Sequence, residues 1–421
     1  MREMKDSGIV SFGLVPAHWK IQKLKTILKL RNQKNNGNRE LLSVYLDKGV
    51  ISYSESSGMQ VHKPSQDLSD YQNVEVGDFV LNNQQAWRGS VGISKYRGII
   101  SPAYFVYSFS VDCNWNYMNY LLRDSTMVQQ YETASRGVGT IQRNLFAPWL
   151  MNCWVILPST KEQQAIADFL DAKCAEIDAL SSDIQAQIDT LEQYKRSVIS
   201  EAVTKGLDPN APMKDSGIEW VGEIPAGWDV HPVYYYFGER KNSNYALQEQ
   251  NLLSLSYGKI IRKDINTNGG LLPASFNTYN IVEAGDIIIR PTDLQNDKRS
   301  LRTGLVKERG IITSAYIDLK PKSSANSVYF HYLLHSFDVQ KVFYNMGNGV
   351  RQGLNYSEFS KLMVIAPSFP EQQAIADYLD VKCSEIDQVI AQKQEQLSTL
   401  ADYKKSLIYE YVTGKKEVPA S

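Results

Sequence analysis

Glu162-Gln-Gln-Ala-Ile-Ala-Asp-Phe-Leu-Asp-Ala-Lys-Cys-Ala-Glu-Ile-Asp178 returns 209 residues later as Glu371-Gln-Gln-Ala-Ile-Ala-Asp-Tyr-Leu-Asp-Val-Lys-Cys-Ser-Glu-Ile-Asp387, identical at 14 of 17 positions. A second pair of matching blocks lies at the same offset: Met4-Lys-Asp-Ser-Gly-Ile9, Pro16-Ala17 and Trp19 recur as Met213-Lys-Asp-Ser-Gly-Ile218, Pro225-Ala226 and Trp228. A period this long is no solenoid; it marks duplication of a unit the size of a domain plus an appendage. Between the blocks the copies diverge and keep only anchors. These are Leu41-Leu-Ser43 with Leu252-Leu-Ser254, Gly77-Asp78 with Gly285-Asp286, and Gly98-Ile-Ile100 with Gly310-Ile-Ile312. Two similar scaffolds with dissimilar surfaces are the pattern of two modules doing one kind of job on different targets.

The block after Pro158 predicts a long helix, with Ser159 or Thr160 as N-cap and Glu162 and Gln163 in the first turn. Ile177, Ile184, Leu191 and Val198 fall seven apart, and Leu180 and Tyr194 supply a second line that Gln187 interrupts. In the second copy Ile386, Leu400 and Leu407 form the first line, broken by Lys393, and Val389 and Tyr403 the second. Each helix of roughly 40 residues would reach about 60 Å. Stripes of this kind need a partner in water. The expectation is that the two helices pair as an antiparallel coiled coil, the alternative being that each packs on its own domain.

The divergent segments carry short runs of β-branched and aromatic residues between turn formers, such as Gly77-Asp-Phe-Val-Leu81, Gly285-Asp-Ile-Ile-Ile-Arg290 and Ala103-Tyr-Phe-Val-Tyr107. They read as strands; short helices are expected at Trp115–Arg123 and Val328–Ser336. The fold class is therefore α+β, two globular modules separated by two long helices with a pseudo-two-fold internal repeat. The expected boundaries are an N-terminal segment 1–20, module 21–157, central helix 158–206, linker 207–229 repeating the N-terminal segment, module 230–366, helix 367–414 and tail 415–421.

The chain of 421 residues has a net charge of only −1, which by itself argues against nucleic acid. By segment the charge is uneven. Residues 21–150 hold 14 basic against 10 acidic side chains, and residues 231–360 hold 15 against 11, a net of +4 in each. Residues 161–205 hold 5 against 9 and residues 371–413 hold 4 against 8, a net of −4 in each. A polyanion is thus drawn to the modules and held off the helices. Four scattered cysteines without a CxxC pair predict a reducing compartment, and no apolar run approaches the length of a membrane span. A cytoplasmic protein with no membrane partner is expected.

Catalytic motifs are not found. Gly258-Lys259 and Gly414-Lys415 lack the Walker A context, and neither Asn-Pro-Pro-aromatic nor Asp-Pro-Pro-aromatic occurs. Gly137-Val-Gly139 and Gly347-Asn-Gly349 read as turns. His331 and His335 have a helical metal spacing but no third ligand, which favours packing. No cofactor, metal site or catalytic residue is predicted.

Amide and guanidinium groups in loops stand out instead: Asn82, Asn83, Gln84, Gln85, Arg88, Arg136, Gln142 and Arg143 in the first module, and Arg290, Thr292, Gln295, Asn296, Arg299, Arg302, Arg351, Gln352 and Asn355 in the second. Asn and Gln can bond the adenine edge in two places and Arg the guanine edge, so these are the candidate DNA-binding residues. Ile177, Ile184, Leu191, Val198, Ile386, Leu400 and Leu407 are the candidate helix-pairing or partner-binding residues.

The Lys-Asp-Ser-Gly-Ile box followed by Ile224-Pro-Ala-Gly-Trp228, degraded to Val15-Pro-Ala-His-Trp19 in the first copy, resembles the specificity subunit of Type I restriction-modification systems. So does the Pro-x-x-x-Glu-Gln-Gln-x-Ile-Ala-x-aromatic-Leu-Asp element at Pro158–Asp171 and Pro367–Asp380. The first box departs at Val10-Ser11, where the second has Glu219-Trp220. The resemblance implies a non-enzymatic subunit with two target-recognition domains, each reading half of a split double-stranded DNA sequence. It further implies two modification subunits that methylate adenine and restriction subunits that join for cleavage. The competing expectations are a coiled-coil scaffold joining two protein-binding modules and, more weakly, a self-sufficient methyltransferase or nuclease.

Overall fold

A computed structural model describes residues 2–35, 37–56, 64–138, 142–265, 275–292, 301–346 and 353–419. The chain divides into two compact units, Met1–Gln185 with Glu395–Ser421, and Ala186–Gln394.

The first unit is built on a four-stranded antiparallel sheet in the order Leu28–Leu30, Tyr104–Phe109, Phe79–Asn82, Val91–Ile93. Side chains alternate across a strand. Phe79 and Leu81 accordingly enter one core with Tyr107, Tyr117 and Leu121, while Val80 enters a second with Val106 and Leu42. Both faces are covered, which is why Phe79-Val-Leu81 reads as an unbroken apolar run. The helix Trp115–Arg123 follows, capped by Asn114 Oδ1, which accepts from Tyr117 N at 2.9 Å; Asp124 caps Ser125–Thr133 through Thr126 N at 2.9 Å. Strand Lys20–Lys23 pairs with Trp154–Leu157, which leads into the long helix Thr160–Lys205.

The second unit repeats this plan. Its sheet runs Phe237–Glu239, Ile317–Pro321, Ile287–Ile289, Thr303–Leu305, with Ile287 and Ile289 in one core and Ile288 in another. Asn326 caps the helix Ser327–Val339, Asp229–Pro232 pairs with Met363–Ala366, and the second long helix is Phe369–Val412.

The repeated motifs recur because each residue has the same task in both units. Lys5 Nζ donates to Trp19 O at 2.8 Å and Lys214 Nζ to Trp228 O at 2.6 Å. Asp6 and Asp215 accept from Gly8 N and Gly217 N, and Ser7 and Ser216 from Ile9 N and Ile218 N, closing two identical turns. Glu162 and Glu371 accept from the indoles of Trp19 and Trp228. Gln163 joins Pro158 O to Asn114 N, as Gln372 joins Pro367 O to Asn326 N; Gln164 and Gln373 accept from the same two asparagines. The anchors Gly98 and Gly310 are required by close approach, since a Cβ would stand 2.4 Å from Glu40 O and 2.5 Å from Asn251 O.

Both long helices contribute to both units. In the first unit Ile177 and Leu407 share a core, the rings of Phe169 and Tyr411 are 4.5 Å apart, and Lys404 Nζ is 2.6 Å from Asp178. In the second, Lys195 Nζ lies 2.7 Å from Asp387, and Lys393 Nζ donates to Gln187 Oε1. Rising numbers on one helix meet falling numbers on the other, so the helix segments pair antiparallel within each unit. The ends are tied in as well: Tyr117 Oη donates to Val412 O and Tyr329 Oη to Val203 O, each at 3.2 Å, satisfying carbonyls that a helix end leaves open.

The second line of each stripe differs from the sequence expectation. Leu180 and Tyr194 are exposed, as are Val389 and Tyr403; the inward line is Cys174, Ser181, Ile188 and Lys195 on the first helix and Cys383, Ile390, Leu397 and Lys404 on the second. These fall four residues after, or three before, the first line rather than three after it. Apolar side chains exist at both spacings, and the sequence expectation took the larger ones. Lysines can occupy this line because their stems lie along the seam while the ammonium groups reach Asp387 and Asp178 at its edge.

Among the described residues no helix is long and apolar enough to cross a membrane.

Candidate nucleic-acid interface

In the first unit the predicted loop residues come together. Strand Phe79–Asn82 ends in a turn in which Asn82 Oδ1 accepts from Gln84 N at 3.0 Å, and the turn continues into a short 3-10 helix, Ala86–Arg88. Beside it lies the antiparallel hairpin Ser135–Val138 with Gln142–Leu145. Leu145 N donates to Asn83 O at 2.9 Å, which fastens hairpin to turn. The second unit uses the equivalent tether: Leu354 N donates to Pro291 O at 3.0 Å, joining the stretch around Arg290 and Thr292 to the stretch before Asn355. In each unit one backbone hydrogen bond thus ties together described residues of two stretches predicted separately from composition.

The candidates in these loops differ in what they touch. Gln84 and Arg88 are exposed. Asn82 is turned inward to the Tyr104 hydroxyl at 3.4 Å, and Asn83 has its amide oxygen buried. The Trp87 indole donates to Gln84 O at 3.0 Å and carries two guanidinium groups, Arg88 at 4.6 Å and Arg143 at 5.0 Å from the ring centre. Arg143 is also paired with Glu132 at 2.7 Å. Arg136 lies over Trp149 at 4.1 Å and Phe146 at 5.0 Å, and those rings meet edge to face at 5.4 Å. Arg88 and Arg143 therefore share the Trp87 ring, and Arg136 lies against Phe146 and Trp149, each guanidinium within cation–π distance of an aromatic ring. The sequence reading missed Phe146 and Trp149; aromatic residues directly after a run containing Arg143 and Asn144 were the available signal.

In the second unit the expectation for Arg302 is corrected. Arg302 is fully buried: its guanidinium donates to Thr292 O and lies 5.1 Å from the Tyr344 ring, while its backbone N–H donates to Asp338. Burial raises the Asp338 carboxyl, opposed first by that backbone hydrogen bond. Arg302 organises the loop and is not a surface reader. Asn355 caps the short helix Tyr356–Phe359 in a reciprocal capping box with Glu358, so its amide oxygen serves the helix. Arg290 and Thr292 remain half-buried at the loop base. Gln295, Asn296, Arg299, Arg351 and Gln352, the turn Gly347–Gly349 and Gly139 lie outside the described residues, as does the Gln142 side chain.

His331 and His335 sit with ring centres 6.2 Å apart in the second unit, where burial pushes them down to about 3 and about 4. Among the described residues no three His, Cys, Asp or Glu side chains converge on a metal position. An open cleft of about 650 Å³ in the first unit is walled by Arg123, Asp171, Asp178 and Lys404. These four charges are already engaged: Lys404 with Asp178, Asp171 with Tyr120 and Asn116, and Arg123 with the carbonyls of Leu46 and Asp47.

Comparison with known proteins bears on the family and the fold. The family described as Type I restriction modification DNA specificity domain matches residues 16–190 and again 243–399. A putative type I restriction enzyme MjaX specificity subunit from Methanocaldococcus jannaschii is 25% identical over 96% of this chain and 95% of its own length. The type I restriction enzyme MjaVIII specificity subunit of the same organism is 24% identical over 72% and 70%. Among solved structures, a chain from a study of complex assembly and conformational transition of the type I R-M system superposes with a TM-score of 0.69 over 96% of this chain and 99% of that one, at 14% identity. The HsdS subunit from Thermoanaerobacter tengcongensis superposes with a TM-score of 0.50 over 96% and 98%, also at 14%.

Proposed function

The chain belongs to the Type I restriction-modification DNA specificity family, and from that premise we propose that it is the sequence-reading, non-catalytic subunit of a methyltransferase and endonuclease complex. Each unit reads one half of a bipartite, asymmetric double-stranded DNA target through its tethered loops. The modules 21–157 and 230–366 are the target-recognition domains, and the two long helices pair as an antiparallel coiled coil. Two modification subunits and the restriction subunits dock on the complex in the cytoplasm, methylating adenine or cleaving at the site the chain selects.

The observation that carries this reading is the recurrence of one tether, Leu145 to Asn83 and Leu354 to Pro291, in stretches whose other side chains largely differ. A fixed frame with changed side chains suits two readers of different sequences. Local charge agrees, since each module is net positive and each helix net negative. The reading as a scaffold for protein partners has no comparable support, because polar, arginine-rich loops among aromatic rings match base edges and phosphates better than an apolar protein surface.

The test is a module exchange. Residues 21–157 are replaced by the equivalent segment of another family member, and methylated adenines are mapped in cells that supply the modification subunits. One half of the methylated sequence should change and the other persist. Change in both halves, or in neither, would remove the two-reader assignment.

A further inference from the structure

Resting on that reading, we propose that Arg136 and Asn144 are an adjacent reading pair on the β-hairpin of the first unit, Arg136 taking a guanine edge and Asn144 the adenine edge of the neighbouring base pair, with Phe146 and Trp149 as positioning residues for Arg136. Arg136 and Asn144 are directly opposite each other in the ladder. Side chains of opposed residues leave the same face of a hairpin, with Cβ atoms about 4.5–5.5 Å apart. Phe146, two residues beyond Asn144, continues that face, and the Arg136 guanidinium lies against it and Trp149. Arg136, Asn144, Phe146 and Trp149 are all exposed.

The other two arginines of this cluster differ. Arg143 leaves the opposite face, opposed by Gly137, and is neutralised by Glu132 while packed on Trp87. Arg88 shares that Trp87 ring. Among the described residues Arg136 has no acidic partner, so its charge and its row of donors remain open to a ligand. Contact with Trp149 at 4.1 Å and Phe146 at 5.0 Å restrains the exposed guanidinium, and any guanidinium carries two parallel N–H groups on one edge. That is the geometry a guanine O6 and N7 accept, and a two-stranded ribbon is one of the two elements the major groove admits. Asn144, a side chain that bonds adenine N6 and N7, stands on the same face.

Methylated-adenine mapping on the complete complex tests the pair. Arg136→Lys keeps the charge and loses the flat two-donor edge; it should relax one G·C position in one half-site, by about tenfold to a hundredfold in preference. Asn144→Ala should relax the position immediately beside it. Trp149→Ala should relax the Arg136 position in part and Trp149→Phe restore it, a rescue that a merely structural role does not predict. Thermal unfolding of Arg136→Lys should match the parent chain. An unchanged motif, relaxation at two positions that are not neighbours, or a uniform loss on all sequences with a shallower salt dependence would overturn the proposal; the last would mark a phosphate contact. If the module exchange alters one half-site while Arg136→Lys alters nothing, only this pair is refuted; if the exchange itself fails, the two-reader reading falls with it.

Discussion

The indole Nε1 of Trp19 donates to Oε1 of Glu162 at 3.0 Å, and Trp228 makes the same bond to Glu371 at the same length. Glu162 also accepts from Arg2 and faces His18, so one first-turn carboxylate gathers the N-terminal segment onto the start of the long helix. A carboxylate in a first turn is favoured by the helix dipole as well. Glu162→Ala should therefore destabilise the first unit by about 1–3 kcal/mol, because the buried indole N–H loses its acceptor. Urea unfolding of Glu162→Ala beside Glu371→Ala is the measurement; equal stability to the parent chain in both would show that the shared bond contributes nothing.

Arg302 is predicted to act on stability and not on recognition. With its side chain buried against Tyr344 and bonded to Thr292 O, Arg302→Ala removes packing and leaves a carbonyl without its donor. A loss of about 2–4 kcal/mol is expected. Calorimetry together with mapping of the methylated motif separates the two roles: a lower Tm with an unaltered motif is the expected result, and an altered motif at full stability contradicts it.

The inward line of the first long helix makes a paired prediction. Ile188→Ala should cost about 2–4 kcal/mol, since its side chain is buried in the second unit. Leu180→Ala should change stability by less than about 0.5 kcal/mol, because that side chain is exposed. Equal effects at the two positions would mean that the stripe packs along both lines.

The second unit should also lose stability as the pH rises from about 4 to about 8. Arg240 Nε lies 2.6 Å from Asp286 and 3.9 Å from Asp318, and both carboxylates are almost completely buried. One guanidinium cannot neutralise two buried carboxylates; burial, reinforced by Asp286 and opposed by Arg240, pushes Asp318 up to about 8. The folded state thus holds a proton that the unfolded chain releases near pH 4. This group's contribution to stability is complete below about pH 4 and is lost as the pH rises to about 8. Asp318→Asn should flatten that fall, read as unfolding midpoints between pH 5 and 9, and an unchanged slope would show that Asp318 is ionised in the fold. The first unit has Val106 at this register, opposite Val80 as Asp318 is opposite Ile288, so its counterpart pair Arg31–Asp78 lacks the second acid.

Much of the architecture was legible because a duplicated sequence repeats its constraints. The Glu-Gln-Gln and Lys-Asp-Ser-Gly-Ile blocks recur since their polar side chains bond fixed backbone or ring groups or, for Gln164 and Gln373, the capping asparagines, and such requirements survive while surfaces change. The strands around Phe79 and Ile287 and the caps Asn114 and Asn326 are local patterns that a sequence displays directly. The second line of the helix stripe was misread because Leu180 and Tyr194 are apolar and spaced almost as well as Ile188; only contact with the partner segment decides between them. At the interface, composition located both loops, but burial of Arg302, capping by Asn355 and the seating of Arg136 on Phe146 and Trp149 are tertiary outcomes. An arginine in a loop carries no mark in sequence of whether its guanidinium faces inward or out.

The most direct measurement is a genome-wide map of methylated adenines in cells that express the modification subunits with and without this chain. A split motif methylated on both strands should be present with the chain and vanish without it. The same methylated motif in both maps would contradict the assignment of sequence recognition to this protein.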